Sequence, residues 1–183
     1  MTTYALRQNE AVPLLLTAAL ALAQTTGLPK SDGVQAYIFE LRDCPLANAF
    51  APEINRIVAK FKHEKVTFAM VYLDSDGDAN EAKKHAKDYG LQCPVLLDPK
   101  QTFAQKAGIT HSPEAAVFNG AKLLYRGRIN NLYATPAKRR TKPTSSDLSD
   151  AITAVLKNRE VKVPRTEAIG CLLPRPQHPT PAP

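Results

Sequence analysis

The sequence predicts an α/β domain with a mixed central sheet and helices on both faces. Apolar runs alternate with stretches of helical periodicity, which is typical of strands joined in parallel through helices. The dipeptide Asn119-Gly120 separates two further apolar runs and indicates a tight antiparallel hairpin. The expected order is β-α-β, an inserted α-β unit, α, a β-hairpin and a final α. With 183 residues and 44% hydrophobic side chains, the chain can form one such domain with tails.

The individual elements follow from the same patterns. Strands are expected over 34–41, 65–74, 93–98, 114–118 and 122–129. Helices are expected over 44–62, about 78–89, 100–108 and 145–158. Pro52 lies inside the first helix and predicts a kink, and Gly108 ends the third. Ser146 or Asp147 is the expected N-cap of the last helix. Residues 130–144 are predicted to form an irregular loop, and the chain after residue 158 is predicted to be mostly coil.

The two ends of the chain are predicted to lie outside the domain. Residues 1–23 contain an apolar run that ends in Ala21-Leu22-Ala23, which predicts a cleaved secretory signal peptide and an exported, periplasmic or extracellular protein. The alternative is an N-terminal helix of a cytoplasmic protein. No other segment is apolar enough to cross a membrane. We interpret the remaining segments as a linker (24–33), the domain (34–158), a C-terminal extension (159–173) and a Pro-rich disordered tail (174–183).

The charge pattern gives little support to a nucleic-acid partner. The net charge is +7, but it is dispersed along the chain. The densest basic segment, residues 137–142, lies between Pro136 and Pro143, and no aromatic-rich basic strand accompanies it. We therefore interpret this segment as a solvated loop and expect no nucleic-acid binding.

Cys44 is the candidate reactive residue. The chain has three cysteines, Cys44, Cys93 and Cys171. Cys44 follows the first strand and opens the first helix, where free N–H groups and the helix dipole stabilise a thiolate. Pro45 suits this first turn because the N–H that it lacks is not needed there. Arg42 adds positive potential, which Asp43 opposes. The alternative is that Cys44 is a buried structural cysteine at the end of a strand.

The element order and three motifs resemble the thioredoxin superfamily. The motifs are DCP after the first strand, PVLLDP in the inserted unit and GITHSPEAAVFNGAKLLYRGRI before the last helix. The sequence is most similar to the redoxin branch, which includes peroxiredoxin-like proteins and exported thiol–disulfide oxidoreductases. The resemblance covers roughly residues 34–158 and implies a thioredoxin-like three-layer fold. It also implies that Pro113 is the cis-proline of that fold, with Ser112 before it and both facing Cys44.

The resemblance implies a thiol-based redox function in which Cys44 is the nucleophile. The implied partners are protein thiols, protein disulfides or peroxide, and no cofactor is needed. The sequence departs from the family patterns at two positions. Ala47 stands where a Cys-x-x-Cys motif has its second cysteine, and Leu41 stands where a peroxiredoxin has threonine. Cys44 therefore needs a thiol from elsewhere in the chain to resolve its intermediates.

Cys171 is the expected second thiol. In the fold that the resemblance implies, the final helix starts near the active-site end and runs away from it for about 21 Å. The twelve residues from Arg159 to Cys171 can span about 40 Å when extended, so Cys171 can return to Cys44. Gly170 would allow a close approach. Two alternatives remain: Cys171 anchors the far side, or Cys93 is the partner, although Cys93 is more simply interpreted as a small buried hydrophobic residue.

Further residues carry weaker signals. In redoxins an arginine can lie near the active thiol, and Arg126, which shares a strand face with Arg128, is the candidate here. The alternative is that these arginines lie on a face exposed to solvent. A minority hypothesis is a copper site formed by Cys44 and His111, with Cys171 as a further ligand. Another is a non-catalytic protein in which the disulfide is a structural staple. The remaining histidines, His63, His85 and His178, are predicted to lie on the surface.

The acidic segment Asp74–Asp78 is spaced like the start of a calcium loop. His85 stands at the twelfth position, where an EF-hand has glutamate. We therefore interpret the segment as a loop that leads into a helix cap.

Overall fold

The computed structural model describes residues 33–174 of the chain. The predicted signal peptide, the linker up to residue 32, the tail beyond residue 174 and His178 lie outside the described residues. The elements, in chain order, are β1 (Val34–Glu40), α1 (Pro45–Lys60), β2 (Val66–Tyr72), α2 (Ala79–Asp88), β3 (Val95–Leu97), α3 (Thr102–Ala107), β4 (His111–Ser112), β5 (Glu114–Asn119), β6 (Lys122–Gly127), β7 (Tyr133–Thr135), β8 (Lys138–Arg139), α4 (Asp147–Leu156) and β9 (Cys171–Leu172).

The central sheet has five strands in the order β3-β2-β1-β5-β6. β1 pairs in parallel with β2, and β2 pairs in parallel with β3, because helices connect these strands. β5 is antiparallel to both β1 and β6, and the β5–β6 turn is the predicted Asn119-Gly120 hairpin. The mixed sheet and the predicted α/β class are thus confirmed. β1 lies at the centre of the sheet, and all seven of its residues are buried.

Helices cover both faces of the sheet and form two apolar layers. On one face α1, α2 and α4 pack against alternate residues of β1, β2 and β5. On the other face α3 and the residues after it pack against the intervening residues of the same strands. Because successive strand side chains point to opposite faces, a central strand covered on both sides reads as a continuous apolar run. Within residues 33–174, none of the helices has the length and apolarity that a bilayer crossing requires.

Two segments are more ordered than the sequence predicts. The predicted irregular loop at 130–144 contains the β7–β8 hairpin. It is held by an Arg140 N–H that donates to the Leu132 carbonyl at 2.7 Å, and the Tyr133 ring packs against Phe50 with centroids 5.7 Å apart. The predicted coil after residue 158 contains β9, which pairs with β4. β7, β8 and β9 are only two or three residues long, so they leave no period that a sequence pattern can show.

The C-terminal extension is docked along the edge of the sheet. The backbone of Arg126 in β6 accepts a hydrogen bond from the Thr166 N–H (3.1 Å) and donates one to the Pro164 carbonyl (3.0 Å). The Thr166 hydroxyl contacts the Tyr125 hydroxyl at 2.8 Å and accepts from the Arg128 N–H at 3.0 Å. The extension therefore covers the exposed backbone of an edge strand before it reaches Cys171.

Candidate redox site

Cys44 and Cys171 form a disulfide, with Cα atoms 6.0 Å apart and 127 positions apart in sequence. Cys44 is the N-cap residue of α1, and Pro45 follows it in the first turn, as the sequence predicts. Its backbone N–H donates to the Leu41 carbonyl at 3.1 Å, which closes the turn between β1 and α1. The expected pairing of Cys44 with Cys171 is therefore present. The alternative pairing of Cys44 with Cys93 is absent. Cys93 is a free buried cysteine.

Ser112 joins the parts of the site. The Ser112-Pro113 peptide bond is cis, as the resemblance implies. The Ser112 hydroxyl accepts a hydrogen bond from the Leu41 N–H at 2.8 Å, and its carbonyl oxygen lies 2.9 Å from the Cys44 sulfur. Its backbone pairs with Cys171 in the β4–β9 ladder. One buried residue thus holds the turn before Cys44 and the strand that carries Cys171.

Gly170 allows the extension to approach the cis-proline loop closely. A Cβ atom at position 170 would lie 2.1 Å from the Ser112 carbonyl oxygen and 3.1 Å from the Pro113 nitrogen. These are backbone atoms and cannot move aside without shifting the loop. The close approach that the sequence predicts for Gly170 is therefore confirmed. After Cys171, the Leu173 N–H donates to the Thr110 carbonyl at 3.0 Å, which fixes the other end of β9.

Arg42 forms ion pairs with two neighbouring carboxylates. Its Nε lies 3.3 Å from the Asp74 carboxylate, and its guanidinium also contacts Asp76. The predicted helix cap in this acidic segment is present, because the Asp78 carboxylate accepts from the N–H groups of Asn80 and Glu81. The positive potential that Arg42 brings close to Cys44 is thus largely balanced, and the helix terminus is the remaining local source of stabilisation for a Cys44 thiolate.

Arg126 lies against the segment that leads into the cis-proline loop. Its guanidinium donates to the Gly108 carbonyl, and its Nε lies 3.6 Å from the buried carboxylate of Glu114. That carboxylate accepts hydrogen bonds from the N–H groups of Thr110 and His111 at 2.8 and 3.1 Å. Arg126 therefore supports the loop through Glu114, and its proposed role near the thiol stays a prediction. Arg128 instead pairs with Asp147 in α4 at 2.9 Å.

Cys93 and His111 have separate surroundings. Burial raises the pKa of the Cys93 thiol to about 11, so this cysteine stays neutral and inert, as the hydrophobic interpretation predicts. His111 pairs with Leu172 across the β4–β9 ladder, and its Nδ1 lies 2.9 Å from the Thr110 hydroxyl. Among residues 33–174, no three His, Cys, Asp or Glu side chains are grouped as a metal site. The copper hypothesis through Cys44 and His111 stays a prediction and requires the reduced pair.

A buried polar cluster beneath the turn was not predicted. Glu40 at the end of β1 is 1% exposed, and burial, with the neighbouring Asp74 carboxylate, raises its pKa to about 8. Its carboxylate lies 3.8 Å from His85 Nε2. His85 also contacts the Tyr72 hydroxyl and the Asn48 amide oxygen, each at 2.9 Å. The prediction that His85 lies on the surface is therefore wrong, because α2 turns this side chain inward onto β2.

The sequence signal for this cluster was Glu40 itself. It stands at the end of a strand that is otherwise apolar except for Gln35, and all of the strand is buried. A charged residue within such a central run must either be paired or remain neutral.

Comparison with known proteins agrees with this geometry. Residues 34–122 match the model of a family described as thioredoxin-like. The crystal structure of an uncharacterized conserved protein from Geobacillus kaustophilus superposes with a TM-score of 0.66 at 24% identity, covering 78% of this chain and 77% of that one. A hypothetical protein from Sinorhizobium meliloti gives a TM-score of 0.66 at 21% identity, covering 78% and 80%. At these identities the likeness establishes the shared fold. No curated protein sequence matches the chain.

Proposed function

We propose that this chain, which has a thioredoxin-like fold, is a thiol–disulfide oxidoreductase whose active pair is Cys44 and Cys171. The observation that carries this proposal is the disulfide between the N-cap residue of α1 and a strand paired to the cis-proline loop. The second thiol that a Cys-x-x-Cys motif supplies locally is here supplied by the C-terminal extension.

The chemistry is a two-electron exchange with protein thiols. A partner dithiol gives two electrons and two protons to the Cys44–Cys171 disulfide, which becomes two thiols while the partner becomes a disulfide. The reverse reaction reduces a partner disulfide. Each direction passes through one mixed disulfide, and no cofactor takes part. The N-terminus of α1 supports this exchange because it stabilises a thiolate at Cys44.

The way the extension is held supports a reversible bond rather than a permanent staple. β9 is two residues long, and Cys171 is partly exposed. The backbone of residues 164–173 is joined to β6 and to the cis-proline loop by single hydrogen bonds, beside the contacts of the Thr166 hydroxyl and the packing of Leu173. Such bonds contribute about 1 kcal/mol each, so the segment can separate from the domain once the disulfide is reduced.

Export is part of the proposal. Disulfides form and persist in oxidising compartments, and the sequence pattern of residues 1–23 predicts a signal peptide. We therefore expect the protein to work in the periplasm or outside the cell, with exported proteins as its partners.

The test is a redox titration of a Cys93→Ala variant, in which only the active pair remains. The protein is equilibrated in dithiothreitol or glutathione buffers, the free thiols are alkylated, and mass spectrometry counts the labels. We expect the pair to titrate between about −270 and −180 mV, the range of thiol–disulfide exchange proteins. A pair that remains oxidised below about −300 mV would be a structural staple, and the proposal would be wrong.

An activity assay completes the test. We expect the Cys93→Ala variant to catalyse the reduction of insulin by dithiothreitol, and we expect both Cys44→Ser and Cys171→Ser to abolish this activity. If Cys171→Ser keeps full activity, the extension is not the source of the second thiol. If only hydrogen peroxide is turned over, the substrate is a peroxide.

A further inference from the structure

We propose that partner thiols attack the disulfide at Cys171, and that Cys44 is the leaving sulfur. This inference rests on the proposed function. It exchanges the roles that the sequence predicts, in which Cys44 is the nucleophile that meets the partner and Cys171 resolves the intermediate.

The first observation is the difference in burial between the two cysteines. Cys44 is 1% exposed, because it lies between the first turn of α1, the cis-proline loop and the extension. Cys171 keeps part of its surface exposed, and the next residue, Leu172, is 72% exposed. A thiolate must reach a sulfur directly to displace its partner, so access favours Cys171.

The second observation is the oxygen beside Cys44. The Ser112 carbonyl oxygen lies 2.9 Å from the Cys44 sulfur and occupies one side of it. This oxygen shields that side of the Cys44 sulfur from an incoming thiolate. The Ser112 backbone also pairs with Cys171, but that pairing holds Cys171 through its main chain, and the residue stays partly exposed.

The third observation concerns the leaving group. In disulfide exchange, the sulfur whose thiolate is more stable leaves faster. Cys44 is the N-cap residue of the 16-residue helix α1, where the helix dipole favours negative charge. Cys171 lies in a two-residue strand without a helix terminus. Accessibility and thiolate stability therefore select the same direction of attack.

The step can be written with its electrons balanced. The partner thiolate forms a new S–S bond to the sulfur of Cys171, the Cys44–Cys171 bond breaks, and its electron pair leaves with Cys44 as a thiolate. Protonation of Cys44 then allows its S–H to donate to the Ser112 carbonyl. A second partner thiol attacks the partner's own sulfur and releases Cys171. By microscopic reversibility, a partner disulfide that is reduced by this chain is also carried on Cys171.

The consequence is that the exposed extension carries the partner. A mixed disulfide on Cys171 places the partner on the partly exposed C-terminal extension, so the partner does not have to reach the buried sulfur of Cys44. Cys44 then acts as an internal thiol that closes the disulfide and expels the partner.

The test locates the first mixed disulfide. Oxidised Cys93→Ala protein is mixed with reduced glutathione, and acid stops the reaction before about one tenth of the disulfide has reacted. The free thiols are then alkylated, and peptide mapping shows which cysteine carries glutathione. We expect glutathione on Cys171 and the alkyl label on Cys44, in at least tenfold excess when extrapolated to zero time.

A matched control uses the same protein unfolded in urea, where both sulfurs are accessible and glutathione should appear on both within a few-fold. Equal labelling in the folded protein, or glutathione mainly on Cys44, would overturn the assignment and leave the proposed function intact. A disulfide that resists both glutathione and dithiothreitol would overturn the assignment together with the proposed function.

Discussion

Replacing Glu40 with glutamine should remove the fall in stability that Glu40 causes between pH 5 and pH 7.5. Glu40 is 1% exposed at the end of the central strand, and its Oε2 has no hydrogen-bond partner among the described residues. Burial is the main cause that raises its pKa from 4.5 to about 8, and the Asp74 carboxylate adds to it. The folded protein therefore keeps a proton that the unfolded chain has already released.

The size and sign of the effect follow from linkage. A group whose pKa is raised by folding stabilises the native state fully below its unfolded pKa, and this stability is lost as the pH rises toward the folded pKa. For Glu40 the window runs from pH 4.5 to about 8. Each pH unit within it corresponds to about 1.4 kcal/mol, so the contribution of Glu40 to the free energy of unfolding should fall by about 3 kcal/mol between pH 5 and pH 7.5.

The assay is urea unfolding of the oxidised protein at several pH values, followed by far-UV circular dichroism because the chain has no tryptophan. His85 adds an opposite trend: burial lowers its pKa, so its contribution to stability grows as the pH rises toward 6.5 and is constant above it. His85 is present in both proteins, so the difference between the wild type and Glu40→Gln isolates Glu40. We expect the glutamine variant to gain stability relative to the wild type as the pH rises.

Glu64→Gln is the control, because Glu64 is exposed on the loop before β2 and should leave the pH profile unchanged. If Glu40→Gln and the wild type keep a constant stability difference from pH 5 to pH 7.5, Glu40 is not a protonated buried carboxyl and the reasoning fails.

Three further substitutions test how the extension and the last helix are held. Gly170→Ala places a Cβ atom against the Ser112 carbonyl, so we expect dithiothreitol to reduce the disulfide at least tenfold faster. Thr166→Val removes the hydroxyl that accepts a hydrogen bond from the Arg128 N–H. We expect the free energy of unfolding, measured in urea, to fall by about 1–3 kcal/mol. Burial alone would raise the pKa of Asp147, but hydrogen bonds from the Arg128 and Ser145 side chains outweigh burial, so the pKa is lowered. Its stabilisation is lost as the pH falls below 4, and Asp147→Asn should cost about 1–2 kcal/mol at pH 7.

The controls for these variants lie in the same segments. Glu167→Ala changes an exposed side chain of the extension and should leave the reduction rate unchanged. An unaltered rate in Gly170→Ala would mean that the extension is not seated against the cis-proline loop. A stability loss in Asp147→Asn that does not shrink as the pH falls below 4 would show that the ion pair is not its cause.

The sequence predicts the sheet well because its strands are long and covered. β1, β2 and β5 are six or seven residues long, with at least five buried residues each, and Asn119-Gly120 marks the hairpin without ambiguity. The missed strands β7, β8 and β9 have two or three residues, and their partners are set by tertiary contacts that no local pattern encodes.

The site is predicted in part for a similar reason. The pairing of Cys44 with Cys171 follows from the reach of the extension in the fold that the resemblance implies. The environment of each sulfur cannot be predicted in this way, because it depends on which backbone atoms of Ser112 face the disulfide. Glu40 and His85 escaped prediction because a charged residue at a strand end and a histidine on a polar helix are usually exposed.

The disulfide also decides how the molecule responds to tension. Because it joins residues 127 positions apart, a pull on the two chain ends in the oxidised state bypasses nearly the whole domain and conceals about 440 Å of contour length. The load falls on β1, which precedes Cys44 and lies between β2 and β5. Reduction of this one bond would allow the segment between Cys44 and Cys171 to unfold and extend under the same force.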